Sequence, residues 1–390
     1  MERRQGKSAR RGAAKGAVLA VSFAMVISAC SSAGTSSKKS SGSSGGSIAA
    51  AGTAYDVAAV NAEVAKYTTR PTSIGIDAKV KGVVPTGKTI MYLQCGAPSC
   101  KDAGDYLEAA TKAVGWTLKR VNAGISAETV KAAWGQAVTE KPDGVVASGF
   151  PRVLFEDELA KLKALNIPVV DQIVGDVAGN GLSLVLADPT DQAATGTRLA
   201  QYILKQNNGK ACEALAVITS AYTSLSNTNK AFGAAITAAC STCKVDDLDV
   251  PVTSLGTDLP SRVTSYLSKH PKVKWVYMGF SDMVTGLPAA LKAAGLGDVK
   301  VVTYDGNATT QAYLKNNQSL VAMDQYPAPE IMWRSVDFFI RTMLGEDTAV
   351  DSAHTLPVWV IDGAQVPSTT GSFPAVEAFE SQYKALWNVT

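Results

Sequence analysis

Two polar side chains, Asp305 and Gln325, each stand directly after a run of residues that reads as a β-strand. The first run, Val299 to Thr303, is rich in β-branched residues and stops at Tyr304-Asp305-Gly306-Asn307, where Asp, Gly and Asn supply turn chemistry. The second, Leu320 to Asp324, stops at Gln325-Tyr326-Pro327. In an open α/β sheet, ligands bind outside the carboxyl ends of the strands. A carboxylate and an amide are therefore delivered to two strand ends about twenty residues apart. The structural alternative is that Asp305 only caps the helix expected over Thr309 to Asn316.

Groups for covalent or metal chemistry are sparse. The 390 residues include two histidines, His270 and His354, and neither keeps company with a Ser or Cys nucleophile. A G-x-S-x-G elbow, a phosphate-binding P-loop and H-E-x-x-H are all absent from the sequence. No cofactor or metal is expected, and an enzyme is the weaker hypothesis. Six cysteines in a chain with an export signal point to disulfides. Cys95 and Cys100 flank a tight turn and are expected to be bridged. Cys212 is expected to pair with Cys240 or with Cys243, leaving one buried thiol. The C-x-x-C at Cys240 lacks the second pair or nearby His that a zinc site needs.

The N-terminus carries the export signal. A basic stretch, Met1 to Arg11, precedes an apolar run, Ala17 to Ile27, and then Ser28-Ala29-Cys30. Ile27-Ser28-Ala29-Cys30 resembles a bacterial lipobox, in which Cys30 is lipidated. The Ser/Gly-rich segment that follows cannot bury apolar surface and reads as a tether. Residues 1–29 hold six Lys/Arg and one Glu, which leaves 31 bases and 33 acids, a charge of about −2. The basic balance belongs to the signal, and nucleic-acid binding loses its compositional support.

Strand and helix patterns alternate along the rest. Thr89 to Leu93 is expected as a strand, followed by a helix whose face carries Leu107, Ala110 and Val114. Further strands are expected at Val145 to Ser148, Pro168 to Asp171 and Leu182 to Leu186. The pattern restarts with strands at Leu215 to Thr219, Lys244 to Leu248 and Trp275 to Met278, and it closes with an amphipathic helix from Met332 to Leu344 and a strand from Leu356 to Ile361. Alternation at this pace implies α/β lobes with parallel sheets and right-handed crossovers.

A strand ending in Tyr-Asp-Gly-Asn, a helix, and then Val321-Ala-Met-Asp-Gln-Tyr-Pro327 together resemble the C-terminal lobe of the ribose-type periplasmic sugar-binding proteins, the type I solute receptors of ABC importers. The resemblance runs loosely from Lys88 to Asp362. It implies two Rossmann-like lobes joined by a three-strand hinge, with Asp305 and Gln325 hydrogen-bonded to sugar hydroxyls. The domains expected from it are a signal peptide (1–29), a lipidated tether (30–53), an N-terminal lobe (54–189 and 327–350), a C-terminal lobe (190–326 and 351–363) and an extension (364–390). The cleft is then lined by loops at strand ends, and the expected contacts are Gly96, Phe150, Arg152, Asp171, Gln172, Tyr222, Phe280, Ser281, Asp282, Asp305 and Gln325. The pattern departs from the family in three places. Ser281-Asp282 stands where Asn-Asp is usual, the helix near Asn227 has no early Arg, and Ile173 occupies the position of the first-lobe Asp.

These residues imply a monomeric, exported receptor, lipid-anchored to the outer face of the cytoplasmic membrane and serving an ABC permease. With Arg152 the one nearby base against Asp171, Asp282 and Asp305, the expected ligand is small, hydroxylated, and neutral or weakly cationic. A receptor that reports to a membrane signalling partner is the alternative. A hydrolase using Asp171, Asp282 or Asp305 is the third reading.

Overall fold

The computed structural model describes residues 52–353, 355–366 and 373–390. The expected signal peptide, Cys30, the tether as far as residue 51, and His354 lie outside the described residues. A first helix, α1 (Val57–Ala65), precedes the alternating pattern.

The first sheet contains β1 (Thr89–Cys95), β2 (Thr117–Gly124), β3 (Gly144–Ser148), β4 (Val169–Gln172) and β5 (Leu184–Leu186). Its spatial order is β2-β1-β3-β4-β5, and every neighbouring pair is parallel. Helices α2 (Pro98–Ala113), α3 (Ala127–Glu140) and α4 (Glu156–Ala164) make the crossovers. β3 and β4 are buried along their whole length, which is why they read as continuous apolar runs rather than alternating ones. β2 was not legible in the sequence. It is an edge strand with only Ala123 fully buried, so its Lys119 and Arg120 mask the apolar signal.

The second sheet contains β6 (Glu213–Ile218), β7 (Lys244–Asp249), β8 (Trp275–Met278), β9 (Lys300–Tyr304), β10 (Leu320–Asp324) and β11 (Val360–Ile361). Its order is β11-β10-β9-β8-β6-β7, parallel except for β11. Helices α5 (Pro189–Asn207), α6 (Thr223–Ala239), α7 (Leu259–Lys269), α8 (Leu287–Ala293) and α9 (Ala308–Lys315) connect it. The chain then forms α10 (Ala328–Leu344), α11 (Ala349–Ala353) and, after β11, α12 (Phe379–Trp387). α10 packs on α2 and α11 on β5, so both return to the first lobe.

Three segments therefore join the lobes: Ala187–Pro189, Gln325–Ala328 and the stretch before β11. The first is shaped by Asp188, whose carboxylate accepts from the amides of Thr190 at 2.8 Å and Asp191 at 3.2 Å. Pro189 takes the first helical position of α5, where a missing N–H costs nothing.

Three expectations are corrected here. Residues 54–67 were assigned to the first lobe, yet α1 packs against α5 of the second. Val60 and Val64 form its buried face, and the Tyr67 hydroxyl donates to Gln201 Oε1 at 3.0 Å. Helical spacing defines a face but not its partner. The extension, 364–390, is expected to belong to neither lobe, yet its last helix packs on α10 of the first. Its Trp387 ring stacks on Trp333 of α10 with centroids 5.3 Å apart, and its indole N–H donates to Asp337 Oδ1 at 2.6 Å. Finally, Cys212 bonds to neither expected partner. Cys240 and Cys243 are bridged to each other across the end of α6, and Cys212 is a buried free thiol. The Cys95–Cys100 bridge is present.

Peptide mapping without reduction should therefore recover Cys95 linked to Cys100 and Cys240 linked to Cys243. Cys212 should react with a maleimide only after denaturation, because burial pushes its thiol up to about 11. A Cys212–Cys240 peptide from exported protein would contradict this arrangement.

Candidate functional site

The carboxyl ends of the two sheets face each other across a cavity of about 80 Å³. The first lobe lines it with Tyr92 on β1, the Cys95–Cys100 turn, Ser148 and Gly149 after β3, and Gln172 and Ile173 after β4. The second lobe contributes Tyr222, Leu225, Phe280, Tyr304 and Asp305, and Tyr326 enters from the second crossing. Apolar and aromatic groups dominate, and among the lining residues Asp305 is the one charged side chain.

Asp305 is held in place by its own loop. Its backbone lies in the left-handed region at φ 67°, which Asp tolerates better than most residues. The Gly306 amide donates to its Oδ1 at 2.8 Å, and the Ser281 hydroxyl donates to its Oδ2 at 3.3 Å. The side chain of the next polar residue, Asn307, caps α9 by accepting from Thr310 N at 2.9 Å. Asp305 is thus not the cap of the following helix, and its carboxylate is left for the cavity. Burial pushes this carboxyl up to about 7; the nearby Asp282 charge adds to the shift, and the Gly306 and Ser281 hydrogen bonds oppose it.

Asp282 forms a contact between the lobes. Its Oδ2 accepts from the backbone amide and hydroxyl of Ser99 in the first turn of α2, at 3.4 and 3.3 Å. Its Oδ1 accepts from Asn307 Nδ2 at 2.7 Å. Burial raises its carboxyl above the usual range, and these hydrogen bonds oppose the shift. The lobes also meet where Gly175 faces Thr223. A Cβ on Gly175 would lie 2.3 Å from Thr223 Cγ2, so that close approach requires glycine. Within the cavity wall, the Tyr326 hydroxyl donates to Gln172 Oε1 at 3.1 Å.

Four of the expected contacts, Gln172, Tyr222, Phe280 and Asp305, are brought together here. Gly96 itself is exposed and turned away, its amide donating to Gly124 O at 2.9 Å. Ser281 and Asp282 sit just behind Asp305. The Phe150 ring leans on Tyr222 at 5.9 Å but lies off the cavity, beside Asp171 in a small space behind β3. Asp171 is fully buried there, and burial pushes its carboxyl up to about 8. Arg152 is diverted to Asp176, 3.3 Å away. Gln325 is also behind the wall, its amide donating to Phe373 O at 2.8 Å.

Sequence reasoning missed Tyr92, Ser99, Ile173 and Leu225 as parts of the site. Tyr92 lies in a strand buried on both faces, so alternation gave no inward direction. Ser99 could have been found as the first helical turn after a strand end, a position that faces the cleft. Ile173 has φ 54°, unusual for a β-branched residue and worth about 1–3 kcal/mol of strain.

Among the described residues, no group of three or more His, Cys, Asp or Glu could hold a metal ion. A family model described as a periplasmic binding protein domain matches residues 88–337. No curated protein matches the sequence. Among solved structures, an ABC sugar transporter subunit from Rhodobacter sphaeroides is 18% identical, with a TM-score of 0.62 over 72% of this chain and 99% of its own. An ABC transporter solute-binding protein from Agrobacterium vitis, solved with bound allitol, is 18% identical, with a TM-score of 0.61 over 72% and 97%. A glucose-galactose binding protein from Geobacillus stearothermophilus is 16% identical, with a TM-score of 0.63 over 73% and 99%. These likenesses establish a shared fold.

Three buried acids should make stability pH-dependent. Asp171 is raised to about 8, and Asp305 and Glu330 to about 7, each mainly by burial. Unfolded carboxyls titrate near about 4, so the folded chain holds more protons between these values. That contribution to stability is fully present below pH ~4 and is lost as pH rises through ~7 to 8. The melting temperature of the ligand-free protein should therefore fall from pH 5.5 to 8.5. Asp171→Asn should flatten the slope, whereas an unchanged slope would contradict the assigned burial.

Proposed function

This chain belongs to the periplasmic binding protein domain family, and from that premise we propose that it is the extracytoplasmic solute receptor of an ABC importer. A small hydroxylated, sugar-like solute binds between the lobes, which close on it by bending at the three crossings. Binding favours the closed form because the solute touches both lobes only there. The receptor then presents the solute to a membrane permease. The observation that carries this reading is the cavity itself, with walls from both sheet ends and the Asp305 carboxyl set into one of them.

The chemistry of the wall supports a solute with both apolar and hydroxyl surface. Aromatic rings cover an apolar ring face, while Asp305 accepts from a hydroxyl edge. Asp305 already accepts from Gly306 and Ser281, and a ligand O–H or N–H adds a further donor to a group that is costly to bury as an ion. An anionic solute would meet Asp305 with no lining base to offset it.

The lipobox-like Ile27-Ser28-Ala29-Cys30 and the following Ser/Gly-rich segment support export with lipidation at Cys30. A diacylated N-terminus buries enough methylenes for stable anchoring, and the tether lets the receptor reach its permease. Cys30→Ser should move the protein from the membrane fraction to the soluble fraction. Persistent membrane association of the variant would contradict lipidation at this residue.

A thermal-shift screen of sugars, polyols, amino acids and aromatic acids tests the reading. A ligand at 100-fold above its dissociation constant adds about 2.7 kcal/mol to stability. With the best hit, Asp305→Ala should weaken binding at least tenfold, about 1.4 kcal/mol. Gln325→Ala should cost less, because its amide faces Phe373 and charge-assisted bonds are stronger than neutral ones. Equal losses from the two substitutions, or tight binding of a carboxylate that survives loss of Asp305, would overturn this assignment of the site.

A further inference from the structure

We propose that the solute carries a protonated amine beside its hydroxyls, as an amino sugar or amino alcohol does, and that Asp305 and the surrounding rings hold that amine. This rests on the receptor reading and narrows it to a ligand class.

The cavity wall presents five aromatic rings, from Tyr92, Tyr222, Phe280, Tyr304 and Tyr326, and it contains no Lys, Arg or His. Arginines outside the wall are already paired, Arg152 with Asp176 at 3.3 Å, Arg198 with Asp324 at 2.7 Å, and Arg120 with Asp105 and Glu108 at 2.7 Å. Behind Asp305 stands a second acid, Asp282. The Ser281 hydroxyl donates to Asp305, and Asn307 Nδ2 reaches both Asp282 at 2.7 Å and that same hydroxyl at 3.4 Å. The wall thus sets two acids together with no protein cation to compensate them. A cation, positioned against a carboxylate and among aromatic rings, fits such a wall electrostatically.

Hydrogen-bond supply leads to the same class. A neutral sugar offers several hydroxyls, each needing donors and acceptors once buried. Three of the wall's hydroxyls are committed. Tyr92 OH donates to Cys100 O at 3.0 Å, Tyr326 OH donates to Gln172 Oε1 at 3.1 Å, and the Ser99 hydroxyl donates to Asp282 at 3.3 Å. The donors of Tyr92, Tyr326 and Ser99 are therefore not available to a solute's oxygen acceptors. An ammonium group needs none, being donor-only, and it is satisfied by the carboxylate while the rings cover the rest of the molecule.

Titration calorimetry on the full-length chain at pH 7 and fixed ionic strength tests this with matched probes. D-Glucosamine, D-galactosamine and ethanolamine are compared with D-glucose, D-galactose and ethylene glycol, and N-acetyl-D-glucosamine serves as the uncharged analogue of similar shape. At least one amine should bind tenfold or more tightly than its uncharged counterpart, and Asp305→Asn should abolish the preference. If that variant does not fold, Tyr222→Leu should weaken the favoured amine at least threefold more than its counterpart. An uncharged sugar that binds as tightly as its amine overturns the inference and leaves the receptor reading in place. Silence from every probe also overturns it, and the receptor reading then falls only if the broader screen is silent too.

Discussion

A carboxyl group buried in a cavity wall without a cationic partner is the constraint on which the site depends. Asp305 can be held there because two donors reach it, the Gly306 amide of its own loop and the Ser281 hydroxyl from the segment after β8, and no counter-charge does. That leaves the group neither a settled ion nor a settled acid, raised to about 7 mainly by burial. The surrounding backbone serves this placement. β9 is followed by an Asp that tolerates a left-handed conformation, and Asn307 takes over the capping of α9. The Asn307 side chain also holds Asp282, so one short turn organises both acids.

The same turn bears on contact between the lobes. Asp282 receives Ser99 from the first turn of α2 at 3.3–3.4 Å, long for hydrogen bonds and weak accordingly. The Cys95–Cys100 bridge spans that turn and fixes where Ser99 stands. Such contacts orient the lobes without locking them.

Much of this was legible in the residues. A β-branched run stopped by Asp-Gly-Asn marks a strand end with turn chemistry, and it placed Asp305 correctly. Cys95 and Cys100 announced themselves by a five-residue separation across Gly-Ala-Pro. What was illegible depended on partners distant in sequence. Arg152 reads as a cleft base until Asp176, 24 residues later, takes its guanidinium. Gln325 reads as a ligand contact until the chain returns at Phe373 to accept from its amide. Cys212 has two plausible partners by position, and the geometry of the α6 end closes the bridge between those two instead. α1 shows an apolar face that either lobe could have covered, and the Tyr67 hydroxyl that bonds to Gln201 of α5 carries no directional signal in sequence.

The most direct test of this account is the titration of the Asp305 carboxyl itself. In ligand-free protein labelled with ¹³C at aspartate side-chain carboxyls, the Asp305 resonance is assigned by its loss in Asp305→Asn and followed from pH 4 to 9. Burial without a cation predicts a midpoint near 7, far above the ordinary aspartate value of about 4. A midpoint at or below that ordinary value would mean that solvent or a positive charge reaches the carboxyl, and the account of the cleft would be wrong.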